Sequence, residues 1–115
     1  MNAIHVEIFE EARELISVPE RWTQHSVARD NESNSVRFDS PRAVCWCIAG
    51  ALALTSHKNG VKLTGPIASI LREVQNILES LEPGTHAGIG FFNDTHTHAQ
   101  ALQLLDKAIK LAKTE

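Results

Sequence analysis

The chain has no tyrosine, and two tryptophans and four phenylalanines bring its aromatic content to only 5%. Its core must therefore be mainly aliphatic. Cysteine is as scarce: Cys45 and Cys47 are the only two, too few and too close together for a disulfide framework. Long apolar runs are missing. The longest, Ala43 to Leu54, has twelve residues, against the roughly 20 that a membrane-spanning helix needs. The first charges are acidic, and no basic stretch precedes an apolar one, so no secretory leader is expected. A clustered basic footprint is absent as well. Residues 1–40 carry eight acids against four arginines, and 41–115 carry six acids against seven bases. Phosphate neutralisation requires a basic patch, so neither nucleic acid nor membrane is an expected partner. A reducing cytoplasm is the expected location.

What is present fits one helical domain over residues 1–115. The 43% of apolar and 22% of charged residues are globular proportions, and a chain of this length buries about two-thirds of its unfolded surface. The expected fold is all-α: four helices, one of them a buried central helix, with two irregular loops. A first helix is expected from Ala3 to Ser17, behind Asn2 as a cap. There Ile4, Ile8, Phe9, Ala12, Leu15 and Ile16 recur at helical spacing while Glu7, Glu10, Glu11 and Glu14 face water. Pro19 ends it. Residues 20–39 lack periodicity and read as a loop anchored by Trp22, Val27 and Phe38.

Ser40-Pro41 reads as a helix start, a hydroxyl cap before proline at the first helical position. The central helix is thus placed at 41–57. It is apolar on nearly every side, which requires surrounding protein. Gly50 within it predicts close approach of another backbone, and Asn59-Gly60 provides a left-handed stop. A third helix is expected from Pro66 to Leu81 on the stripe Ile67, Ile70, Leu71, Val74, Ile77, Leu78, Leu81. Residues 83–96 read as a glycine-containing loop with Ile89, Phe91 and Phe92 tucked inward. Thr97 and Gln100 form a capping box for a last helix that buries Ala101, Leu104, Leu105, Ala108, Leu111 and Ala112.

Few residue groups suggest chemistry. On a helix, Cys45 and Cys47 would point about 200° apart and could share neither a metal nor a disulfide. Lying beyond the first turn, they would gain little from the helix dipole and read as packing. A Cys-His hydrolase would need Cys47 near a histidine, with Asn93 or Asp94 as orienter. His86, Asp94, His96 and His98 are of types that suit zinc, but their spacing matches no strong signature, so no metal is expected. Gly84, Gly88 and Gly90 lack the strand and the Gly-Lys-Ser/Thr of a phosphate cradle. Asn93-Asp94 reads as a pair bonded to neighbouring backbone. No residue is assigned a catalytic role and no cofactor is implied. The binding candidates are Asn93, Asp94, His96, His98 and Trp46.

A resemblance is carried by Trp22, by Ser40-Pro41 and by Trp46-Cys47-x2-Gly50-Ala51-Leu52. Phe92-Asn93-Asp94, Thr97-His98-Ala99 and Leu104-Leu105-Asp106-Lys107-Ala108-Ile109 continue it. Together these islands resemble the bacterial and phage domain-of-unknown-function family 6197. In that family the turn after Asn-Asp is usually longer, and tryptophan is commoner at the Phe92 position. The resemblance implies a small helical domain and no assigned activity. The expected function is a non-catalytic module binding a protein partner or itself, of the kind a phage or bacterial accessory or inhibitor protein would be; the alternatives are a small metal- or thiol-dependent enzyme using Cys47 and the loop histidines, and a small-ligand binder under the 84–94 loop, lined by Phe91, Phe92 and Trp46.

Overall fold

A computed structural model describes residues 3–60, 72, 75–77, 79–80 and 88–114. Among them the chain is mostly helical, with one small two-stranded sheet. The amphipathic stripe near the N-terminus forms helix α1 (Ala3–Leu15), which buries Ile8, Phe9 and Ala12. One more turn brings in Ile16, also buried. The four glutamates of this helix are exposed, as their spacing requires. Pro19 then begins a single 3-10 turn (Pro19–Arg21) with Trp22 as its cap.

The segment after Trp22 is more ordered than its lack of periodicity suggests. Strand β1 (Ala28–Arg29) pairs antiparallel with β2 (Cys45–Trp46), setting Ala28 opposite Trp46 and Arg29 opposite Cys45. The turn between them is organised by Asp30, whose Oδ1 accepts from the backbone N–H groups of Glu32 and Asn34 at 2.9 Å each. Arg29 donates to Thr23 Oγ1, Gln24 O and Ser33 O, drawing the flanks together.

The central helix starts later than Ser40-Pro41 predicts. Helix α2 spans Ile48–Lys58, with Cys47 as its N-cap. Ser40 does cap, but only a turn: its Oγ accepts from the N–H of Arg42 at 3.1 Å, and its carbonyl from that of Ala43. Val44, Cys45 and Trp46 are then taken into the sheet, where Val44 N–H donates to Arg29 O and Cys47 N–H to Val27 O. An apolar run without a period fits a buried strand as well as a buried helix, and here it supplies both. Gly50 behaves as expected. A Cβ there would lie 2.0 Å from the carbonyl oxygen of Val27, so the chain leading into β1 rests directly on the helix backbone. The stop is also as read: Asn59 caps α2 and Gly60 follows at φ 77°.

The expected third helix lies largely outside the described residues, as do Gly84 and His86. Within its range Arg72, Gln75, Asn76, Ile77, Glu79 and Ser80 are helical, and Ile77 is buried. Residues 88–95 are a helix, not the loop expected from their glycines: α3 spans Gly88–Thr95 and buries Ile89, Phe92 and Asn93. Two large apolar side chains three residues apart define its inner face, and burying them outweighs the weak helix propensity of glycine. Phe91 lies off that face and is 56% exposed, contrary to the inward position expected of it. Helix α4 (His98–Lys113) has the full capping box: Thr97 Oγ1 accepts from Gln100 N–H at 3.2 Å, and Gln100 Oε1 from Thr97 N–H at 2.9 Å. Of its expected buried face, Leu111 is only half-buried. α1 packs against both α2 and α4, while α3 packs against α2. The described core has Phe9, Ile48, Leu52 and Leu105 among its fully buried members.

Candidate functional site: the asparagine junction at the start of α2

Asn93 stands on the inner face of α3, 0% exposed, aimed at the first turn of α2. A primary amide has an acceptor with two lone pairs and two N–H donors, and all four positions are used. Its Oδ1 accepts from the indole N–H of Trp22 at 2.7 Å and from Ile48 N–H at 3.0 Å. Its Nδ2 donates to Thr23 O at 3.0 Å and to Asp94 Oδ1 at 3.2 Å. Ile48 supplies the first amide of α2, one of the N–H groups that no intrahelical carbonyl can reach. One side chain thus ties together the chain after the 3-10 turn, the start of α2 and α3. Gln24 adds to the tie by donating from Nε2 to Asn93 O and His96 O.

Asp94, half-buried beside it, accepts from His25 N–H at 2.8 Å and lies 3.6 Å from the His25 ring. His25 takes φ 65°, a left-handed conformation that costs a non-glycine residue energy, and the bond to Asp94 holds it there. Cys47, 6% exposed, borders the same junction. Its Sγ accepts from Gly50 N–H at 3.3 Å. Burial pushes its thiol pKa up, the N–H groups of Gly50 and Ala49 pull it back in part, and the negative charge of Asp94 adds to the rise. The sequence reading placed both cysteines beyond the first helical turn; in fact Cys47 is the cap itself, because the helix begins seven residues further on than Ser40-Pro41 suggests.

The remaining candidates separate. His96 stacks on Phe92, with ring centroids 3.7 Å apart, and its Nδ1 meets Phe92 O at 2.8 Å. The imidazole of His98 points elsewhere, its Nε2 donating to Ile16 O at 2.7 Å. A carbonyl only accepts, so Nε2 carries the proton. Trp46 is a core residue whose indole N–H donates to Phe38 O at 2.9 Å. Among the described residues no three His, Cys, Asp or Glu side chains are grouped as metal ligands, and none of their helices is long and apolar enough to cross a membrane. An open cleft of about 240 Å³ lies elsewhere, lined by Glu11, Glu14, Leu15, Arg21, Thr55 and Lys58. The sequence reading singled out Asn93, Asp94 and Trp22 but missed Gln24 and His25, whose surroundings offer no local signal.

The junction draws on residues from Trp22 to His96, and a family model matches residues 3–111, enclosing all of it. The chain belongs to the family of unknown function DUF6197. The match takes in α1, the sheet, α2, α3 and most of α4. No curated protein and no solved structure matches the chain.

Proposed function

We propose that this member of DUF6197 is a non-catalytic interaction module that engages another protein chain or a second copy of itself. The observation carrying the reading is that the scaffold already occupies the polar groups best suited to chemistry. Asn93 has both ends of its amide engaged, while His98 and Trp46 donate to backbone carbonyls. Thiol catalysis needs a cysteine readily ionised beside a base. Cys47 is buried, with its pKa raised. The surface left for contact includes Phe91 on α3 and the exposed turn at residues 31–35. Aromatic side chains are frequent anchors of interfaces, and Phe91 is the most exposed large apolar residue described. An accessory or inhibitory role in a bacterium or phage is consistent with such a module.

The test compares the wild-type chain with F91S by sedimentation velocity and by affinity capture from the native host. Self-association or a captured partner that disappears in F91S supports the proposal. A monomer that captures nothing, or capture indifferent to F91S, overturns it. A second reading, small-ligand binding, is favoured by the cleft between α1 and α2, whose lining includes Glu11 and Glu14 as well as Arg21 and Lys58. Charges of both signs suit a zwitterionic molecule. Native mass spectrometry of the purified chain would find such a ligand, and its loss in R21A would place it in that cleft.

A further inference from the structure

Placing Cys45 in a strand changes what its pairing with Cys47 allows. Cys45 belongs to β2, and Cys47 continues the extended backbone at φ −80° and ψ 176° before α2 begins. Residues two apart along extended chain project to the same face, whereas on a helix they would diverge. Trp46, between them, projects to the opposite face and into the core with Ala28. Two strand rises of about 3.3 Å separate the cysteine Cα atoms by about 6.6 Å.

That span decides which bridge fits. It sits at the upper edge of the 4.4–6.8 Å range roughly found for disulfides, and side chains standing parallel do not converge on a sulfur–sulfur bond of about 2.05 Å. An ion between the sulfurs inserts two bonds of about 2.3 Å each, so the sulfurs need close only to about 4.6 Å, a lean of about 1 Å from each side chain, whereas the direct bond would require more than twice that lean. Burial disfavours a bare thiolate at Cys47, so the cation itself must supply most of the countercharge, with two neighbours assisting. Gly50 N–H already donates to the Cys47 sulfur at the positive end of α2. Arg29 is the cross-strand partner of Cys45, on its face of the sheet. The charge of Asp94 works in the opposite direction, but its carboxylate is engaged by the backbone N–H of His25 and by Asn93. Cys45 is half-buried, and its sulfur lies 3.8 Å from Arg29 O.

We propose that Cys45 and Cys47 form a two-sulfur site for a thiophilic cation of the Cu(I) class. Soft thiolate donors select such ions. On binding, two S–H bonds break, two sulfur–metal bonds form and two protons pass to solvent, with no change in oxidation state.

The reduced chain is tested with two probes, Cu(I) in competition with a chromophoric chelator and phenylarsine oxide. The arsenical bridges paired thiols, forming two As–S bonds and releasing its oxygen with both thiol protons as water. The expected result is one Cu(I) and one arsenical per chain, with both thiols lost to titration and the fold retained by circular dichroism. C45S removes the half-buried member and leaves the N-cap of α2 in place; it should weaken Cu(I) binding at least tenfold and abolish arsenical capture. C47S should lose both as well. Binding of either probe by C45S at wild-type strength overturns the proposal, and so does wild-type binding that begins only on unfolding.

Discussion

Replacing Asn93 by alanine removes four hydrogen bonds at once, and the cost follows from what remains. Ile48 N–H loses its partner at the fully buried start of α2. An orphaned buried polar group costs about 1–3 kcal/mol, and about 2 is assigned here. The Trp22 indole N–H and Thr23 carbonyl belong to half-buried residues and take the lower end, about 1 kcal/mol each. The sum, about 4 kcal/mol, is a third or more of the total stability of many domains (about 5–15 kcal/mol). Urea unfolding of N93A followed by circular dichroism measures it as a fall in midpoint at unchanged slope. N93D separates the donor from the acceptor function. It keeps the acceptor for Trp22 and Ile48, loses the donor to Thr23 O, and sets a second carboxylate beside Asp94. Protonating that carboxylate restores a donor, so its deficit should shrink as pH falls through the carboxylate range and return as pH rises. A loss below about 1 kcal/mol in N93A would refute the view that this amide holds the three segments together, since that is the scale of one ordinary hydrogen bond.

Three further outcomes follow from local geometry. G50A gains about 1 kcal/mol of helix propensity, but its methyl would lie 2.0 Å from the Val27 carbonyl oxygen; it should be destabilised by about 2 kcal/mol net in the same urea assay, and a variant at least as stable as wild type would contradict the close approach. The Asp30 carboxylate is held below its ordinary pKa by the N–H of Asn34 first and of Glu32 next, against the opposing effect of burial. A lowered folded-state value means stability present above the ordinary carboxylate range and lost as pH falls through the lowered one, so D30N should flatten the acid limb of a stability-versus-pH curve. T97A removes the hydroxyl that caps α4 and should cost about 1 kcal/mol, read as a lower thermal midpoint.

Sequence reasoning succeeded where the cause was local. The capping box of Thr97 and Gln100, the stop at Asn59-Gly60 and the stripe of α1 each lie within a few residues and needed no partner to be read. It misplaced the start of α2 because Ser40-Pro41 is a true turn signal, while the fate of Val44 to Cys47 is set by pairing with residues 27–29, well back along the chain. It missed α3 because glycines at 88 and 90 argue for a loop, and only burial of Ile89 and Phe92 against the rest of the molecule argues otherwise. Asn93 was legible as a residue bonded to backbone. Its partners, 45 to 71 residues distant, were not. Gly50 was the exception, a non-local contact visible in one residue, because glycine in an apolar helix has few other reasons to be there.

The bond from Asn93 to Ile48 also imposes an order of events on the growing chain. Ribosomes deliver residue 48 well before residue 93, so α2 is made with its leading amide lacking its eventual acceptor. Until α3 arrives, these segments are joined only by bonds such as Cys47 N–H to Val27 O and Thr23 N–H to Trp46 O, while the Trp22 indole N–H and the Thr23 carbonyl still await their partner. The arriving asparagine therefore acts as a latch: one late residue converts three loosely held segments into a closed structure.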